Sequence, residues 1–417
     1  MGGCVLRDLS NPDFDPHVSD EAAFGSIADP WPKIAEYRRN SPIAVGEYRT
    51  FFGGAPDPTL AHMKHYTAFG YDEVDAVLSD PVLFNSTGAH HLNAEKAFGR
   101  ILVVMDPPEH TRYRKFLQAA FSPKPVRQWT ETLIRPVIHG LIDNFAGRGS
   151  AELVQEFTYR YPFEAVYRLL NLPNEDVELF HKLAVSQTFA IASFVEDAQE
   201  AGQNLADYFR CLIAERRTAP GDDMVSQLIA TEVDGETLDE EILVAFLRHI
   251  LNAAGDTTYR TTGSMLTALL SDPELLETVR QDRELIPLAI EETLRWEGPV
   301  VANFRYLTRD IEMAGVKMEA GSVVHAIHGS ANRDETHFPD PDRFDIHRSR
   351  KYRHFAFGAG PHLCVGMHLA RLQIREAISG LLDRLPNLRL NPDLPSPTIR
   401  GFHFRAPDAL NVLFEPS

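Results

Sequence analysis

The feature that most constrains this chain is a long apolar helical pattern running from Thr237 to Ser271. Thr237-Leu-Asp-Glu240 reads as a capping box, in which the threonine and glutamate side chains satisfy opposite orphan donors. Asp272-Pro273 stops the pattern at the far end. At the usual rise per residue such a helix is ~50 Å long, enough to cross a whole domain. The chain is therefore expected to be mainly α, with this helix through its centre.

The rest of the sequence divides around it. Residues 1–60 are rich in Pro, Gly and Asp and read as an irregular, β-leaning leading segment, with a short helical piece around Trp31 to Arg39. Residues of about 72–296 carry mostly helical spacing, broken at Asp106-Pro107-Pro108, Pro123, Pro125, Leu172-Pro173 and Ala219-Pro220-Gly221. From about 300 to 417 the pattern mixes strand-like runs, such as Val323-Val324, with a final helix that starts just after Cys364 and reaches Leu385. The tail, Thr398 to Phe404 and Ala409 to Phe414, reads as a hairpin. No internal repeat appears. The expectation is a single domain over 1–417, mainly α with a small β subdomain.

Composition excludes several functions. With 41 basic against 59 acidic residues the formal net charge is −18, which argues against a nucleic-acid binder, since phosphate contacts need a basic surface. The cysteines, at 4, 211 and 364, are far apart and form no CxxC pair, so neither a disulfide framework nor a structural zinc site is expected. A reducing cytoplasm fits that usage. No apolar run follows Met1 to Leu6 and none approaches the ~18 residues needed to cross a bilayer, so no secretory signal and no membrane partner are expected.

The strongest chemical signal is Phe355-Ala-Phe357-Gly358-Ala-Gly360-Pro-His362-Leu-Cys364-Val-Gly366. Glycines around one cysteine imply a tight backbone that approaches something closely. The cysteine stands just before a helix N-terminus, where amide donors and the macrodipole stabilise a thiolate, and Phe357 can shield the sulfur from water. A lone cysteine in a glycine-rich loop is ordinarily structural; the whole pattern arising together is not. It resembles the haem-binding loop of cytochromes P450, continued in Leu369-Ala370-Arg371. The resemblance implies the cytochrome P450 fold, haem b, and Cys364 as the thiolate ligand of the iron, with Phe357, His362 and Gly366 in the cofactor's loop.

Other motifs fall in the order the family requires. Glu292-Thr-Leu-Arg295 is an acid–guanidinium pair at helical spacing, and the resemblance implies that Arg343, in Phe338-Pro-Asp-Pro-Asp-Arg343-Phe344, joins it in a structural ion network. In Asn252-Ala253-Ala254-Gly255-Asp256-Thr257-Thr258 small residues, an acid and threonines break the apolar pattern, with Ala253, Asp256 and Thr257 expected on one face. A threonine pair alone would merely bond the preceding turn. The resemblance implies instead that Thr257 assists dioxygen activation and Asp256 relays protons, although Ala254 stands where the family commonly has glycine. His110, Arg114, Arg305 and His362 occupy the positions implied to hold the haem propionates.

Two acid-free stretches form a local exception to the acidity: His110 to Thr130, with Arg112, Arg114, Lys115, Lys124 and Arg127, and Ile346 to Arg375, with Arg348, Arg350, Lys351, Arg353, Arg371 and Arg375. Such a patch suits an acidic electron donor. A ferredoxin, itself reduced by a ferredoxin reductase at the expense of NAD(P)H, is expected to dock near Arg112, Lys115 and Arg353. By family position Asn85 to Leu92, Phe189 to Phe194, Asn252, Val301 to Asn303 and Phe402 to Phe404 line the substrate pocket. This largely apolar set implies a small, mostly hydrophobic substrate that is hydroxylated or oxidatively demethylated. A peroxide-driven peroxygenase and a non-catalytic haem sensor are the rival readings; neither needs the Asp256-Thr257 pair.

Overall fold

A computed structural model of the protein describes residues 4–11, 13–14, 27, 29–91, 94–189 and 194–417. In chain order its main elements are α1 (Trp31–Asn40), β1 (Ile43–Val45), β2 (His65–Ala68), α2 (Tyr71–Ser79), β3 (Phe84–Asn85), α3 (Glu109–Ala120) and α4 (Tyr161–Leu169). They continue with α5 (Val177–Phe189), α6 (Val195–Thr218), α7 (Glu240–Ser271), α8 (Ile286–Trp296), β4 (Ala302–Leu307), β5 (Val323–Ile327) and α9 (Met367–Arg384).

The long helix forms, but its start differs from expectation. Asp239 caps α7 by accepting from the Glu241 amide, while Thr237 pairs in a two-residue strand with Glu232. An aspartate placed immediately before the first turn outcompetes the threonine two residues earlier. At 32 residues α7 is ~48 Å long. Asp272 ends it and caps the next helix by accepting from Leu275. Helices α4, α5, α6, α8 and α9 pack around α7, and the largest buried cluster is theirs. At Gly255 the reason for a glycine is packing: a Cβ there would lie 2.4 Å from the Phe163 ring on α4.

The β component lies to one side. Strands run β1-β2-β5-β4-β3, with β5 parallel to β2 and antiparallel to β4, so that Val324 faces Arg305. Alternation along β4 puts Asn303 and Arg305 on one face. The tail does not form the expected single hairpin. Ile399–Arg400 pairs with Ala406–Pro407, whereas Asn411–Leu413 joins a separate sheet between Arg389–Leu390 and Ser150–Glu152. Buried Glu297 ties these parts together by accepting from Trp31 of α1 (2.7 Å), Arg333 (2.9 Å) and Arg405 (2.6 Å).

The cysteines correct the sequence reading. Cys4 and Cys211 form a disulfide across 207 residues of sequence. The leading segment lies along α6, with Leu9 buried, Arg7 paired with Asp207, and Ser10 bonded to Glu200. Spacing could not reveal a pairing made by chain topology. Among the described residues no helix is long and apolar enough to cross a membrane.

Candidate active site

The Cys364 loop is built by backbone geometry. Gly358 (φ +70°) and Gly360 (φ +62°) take left-handed conformations that favour glycine. A Cβ on Gly360 would lie 2.5 Å from the Leu78 carbonyl, at the end of α2. The Cys364 amide donates to the Phe357 carbonyl (2.9 Å), closing the loop beneath the sulfur. Burial raises the thiol pKa, opposed by the Gly366 and Met367 amides at the start of α9 and by the charges of Arg114 and Arg371. An apolar setting with these donors suits a thiolate that has a cation bound to it.

The sulfur is enclosed deep in the protein yet open to a cavity of about 410 Å³. The α7 residues Ala253, Ala254, Thr257, Thr258 and Thr261 line it, following the i, i+1, i+4, i+5, i+8 stripe of one helix face. His110, Arg114, Arg305, Phe357, His362, Cys364 and Gly366 all line the same cavity. Asp256 does not. It is buried on the flank of α7, 3.2 Å from Arg260, whose guanidinium lies over the rings of Tyr259 (5.0 Å) and Phe404 (5.1 Å). The Thr257 hydroxyl donates to the Ala253 carbonyl (3.1 Å). The expected single face for Ala253, Asp256 and Thr257 therefore splits.

The cavity edge is short of negative charge. Arg305 is buried, and its guanidinium donates to the carbonyl of its neighbour Phe304 (2.8 Å) with no carboxylate ion pair among the described residues. Burial draws its pKa down to about 10. Asp106 lies near enough for its charge to act on Arg305, but its oxygens accept from the Ser86 and Thr87 amides. His110 is buried with neither ring nitrogen bonded among the described residues, its ring centroid 4.4 Å from that of His362. Arg114 donates to the Leu363 carbonyl (2.5 Å), and burial lowers its pKa. Burial, then the charge of Arg305, keeps His362 neutral, with Ser86 Oγ 3.2 Å from its Nε2. A cavity with one sulfur on its floor and uncompensated donors at its rim fits haem, whose iron takes a thiolate and whose propionates need buried partners.

Several expectations change. Arg343 is exposed, and its side chain stays out of the ion network; its carbonyl accepts from Arg295 and Arg348 instead. Arg348 is the third member, 3.1 Å from Glu292, which also holds Arg295 at 2.8 Å. Of the expected pocket residues, Asn303, His403 and Phe404 line the cavity. Asn252 instead ties α7 to α5 through Thr188 Oγ1 (2.8 Å). Val301 and Phe402 are buried in a separate cluster, Phe194 meets Phe14, and Leu92 and 190–193 lie outside the described residues. Sequence reasoning missed His328, which lines the cavity; a histidine at a strand end reads as ordinary core.

The same loop, through Phe357, Gly358 and Leu363, also borders a second hollow of about 310 Å³ lined by Glu291, Arg350, Arg353, His354 and Arg371. Folding brings acids to this acid-free stretch. Arg353 pairs with Asp75, Arg371 with Glu291, Arg112 with Glu236 and Lys115 with Asp234. The exposed Lys124, Arg127, Arg350, Lys351 and Arg375 have no carboxylate partner among the described residues.

Comparison with known proteins agrees with this geometry. Residues 164–394 match the family model for cytochrome P450. The chain is 32% identical to a putative cytochrome P450, YjiB, of Bacillus subtilis (strain 168), over 86% of this chain and 88% of that one. It is 33% identical to the cytochrome P450 monooxygenase PikC of Streptomyces venezuelae, over 93% of each. The structure superposes on cytochrome P450 CYP109E1 from Bacillus megaterium in complex with testosterone with a TM-score of 0.80, at 28% identity, covering 93% of this chain and 99% of that one. Motif order, cavity chemistry and full-length similarity coincide: the chain belongs to the cytochrome P450 family and is a monooxygenase.

Proposed function

We propose that the protein inserts one oxygen atom from O2 into a small, mostly hydrophobic substrate, by hydroxylation or oxidative demethylation. Electrons come from NAD(P)H through a ferredoxin reductase and a ferredoxin. The observation that carries this reading is the shared cavity, with the Cys364 sulfur on its floor and Thr257 of α7 in its wall. Haem b, bound through Cys364, supplies the thiolate-assisted cleavage of dioxygen.

The chain's own residues do the rest. Arg305, Arg114, His110 and His362 hold the two propionates, an assignment supported by the Arg305 guanidinium, which has no carboxylate partner among the described residues, and by the His110 ring, unbonded among them. Phe357 and the Gly366 amide keep water from the sulfur and fix its direction. Thr257 exchanges its bond to the Ala253 carbonyl for one into the cavity and delivers a proton from Oγ1. Asp256, after leaving Arg260, takes a proton from solvent and passes it to Thr257 Oγ1 to replace the one delivered. Substrate is oriented by an apolar wall that includes Leu102, Phe246, Ile250 and Val300, with Asn303 as a polar point. A compact polycyclic molecule suits such a wall, and testosterone occupies the similar CYP109E1.

The ferredoxin docks over the second hollow, the one bordered by the Cys364 loop. Arg112, Lys115 and Arg353 must exchange internal carboxylates for those of the partner, so the unpaired Arg350 and Lys351 make the first contact. The test is a ligand screen on purified holoenzyme by haem absorption, followed by turnover of each hit with NAD(P)H, reductase and ferredoxin. Ligand-induced spectral change with coupled O2 consumption and an oxygenated product is expected. A protein that takes up no haem, or that oxygenates equally well with peroxide alone, overturns the reading.

A further inference from the structure

The cavity wall holds one more polar side chain. His328 follows β5 directly, beside the strand that carries Arg305. It is 1% exposed, lines the cavity, and has no hydrogen-bond partner at either ring nitrogen among the described residues. Leaving such a group buried and unbonded is costly, because the lost bond to water is not replaced. An orphan of this kind facing a cavity calls for a ligand atom.

The surroundings define that atom. Burial, reinforced by the charge of Arg305, depresses the His328 pKa to about 3, so the ring is neutral and offers one N–H donor. The charged group acting on it is Arg305, itself without a carboxylate ion pair among the described residues. An oxygen that satisfies both must be an acceptor carrying negative charge. Among the other buried histidines, His110 and His90 are likewise unbonded at both ring nitrogens among the described residues, but His110 is already assigned to the propionates and His90 does not line the cavity. His65 faces His325 (2.9 Å), His403 takes the Tyr48 hydroxyl (2.5 Å), and His90 stacks on Phe304 (4.2 Å) away from the cavity lining.

We propose that His328 donates a hydrogen bond to a carboxylate oxygen in this cavity, that of the haem propionate which Arg305 neutralises. Guanidinium and imidazole then grip one propionate together, and the neutral ring adds a bond without adding charge to the rim. The proposal rests on the haem reading above. A carboxyl group of the substrate presents the same chemistry, and the experiment separates the two sources.

Full-length holoenzyme is prepared as wild type, His328→Phe and His328→Asn, and haem loss is followed by transfer to apomyoglobin. Phenylalanine keeps a ring without a donor; asparagine keeps a donor without the ring. His328→Phe is expected to release haem about tenfold faster than wild type, and His328→Asn within about threefold of it, because a hydrogen bond to a charged group is lost only in the first. His328→Leu replaces His328→Phe if the latter does not fold. Transfer from His328→Phe at the wild-type rate overturns the proposal and gives the donor to a substrate carboxyl. Release as fast from His328→Asn as from His328→Phe also overturns it, since packing would then be the role. A wild-type protein that binds no haem fails at the earlier reading, a result distinct from either.

Discussion

Thr257 and Asp256 are adjacent in sequence but stand about 100° apart around the helix axis, which divides their tasks. Thr257 reaches the cavity through its hydroxyl, whereas Asp256 is locked to Arg260 in a buried pair at 3.2 Å. Removing the hydroxyl takes away the proposed proton donor without touching the residues around Cys364. Thr257→Ala is therefore expected to keep haem and substrate binding but to lower product per NAD(P)H by about tenfold or more, with peroxide accounting for the difference. Simultaneous assay of product and peroxide checks this, and unchanged coupling would put the proton route elsewhere. Arg260 has the opposite signature. Arg260→Leu strands the Asp256 carboxylate in the interior, at a cost of about 3–5 kcal/mol, and Asp256→Asn in the same chain should restore much of the loss. Thermal unfolding of the single and double variants measures it; equal melting of Arg260→Leu and wild type would show that the pair does not stabilise the fold.

Between elements, the support of the Cys364 loop depends on how α8 and α9 are clamped. Glu291 on α8 takes both Arg371 of α9 (2.6 Å) and His354 of the preceding loop (3.2 Å). Burial pushes its carboxyl pKa up, but the bonds from Arg371 and His354 prevail and hold it at about 2. A carboxylate whose folded pKa lies below its unfolded value of ~4.3 stabilises fully above that value and loses the contribution as pH falls toward the folded one. Glu291→Gln should thus melt below wild type at pH 6, with the gap narrowing steadily below about pH 4.3; a gap independent of pH would assign the loss to packing. A second clamp is the leading segment. Cys4–Cys211, the Asp8–Lys182 ion pair and buried Leu9 fasten it across α5 and α6. Cys4→Ser is expected to lower stability by about 2–4 kcal/mol, and reductant should lower wild type but not the variant. Such clamps mark what the sequence could not disclose. The α7 helix and the Cys364 loop were legible because periodicity and glycine placement are local. Arg348 rather than Arg343 completes the network because an irregular segment chooses, through its turns, which side chain points inward. Cys4 meets Cys211 only because the chain folds back over α6, which no spacing records.

At the scale of the whole molecule, a chain of net charge −18 must accept electrons from a partner that is itself acidic in the proposed reaction. Long-range repulsion and local attraction then oppose one another. At low salt the field of the entire protein extends tens of ångströms and slows approach, whereas at ~0.1 M it is screened beyond about 10 Å while contact pairs persist. The unpaired Arg350, Lys351 and Arg375 act at contact, and the paired Arg112, Lys115 and Arg353 join only after releasing Glu236, Asp234 and Asp75. The rate of reduction by ferredoxin is therefore expected to pass through a maximum near ~0.1 M ionic strength instead of falling throughout. Charge reversal in Arg350→Glu/Lys351→Glu should abolish the maximum and slow reduction by about tenfold, as loss of steering does at charged interfaces. Stopped-flow reduction over a salt series measures both. A rate that falls monotonically in wild type would mean that the local patch outweighs the net charge, and a variant indistinguishable from wild type would move the docking surface away from the hollow bordered by the Cys364 loop.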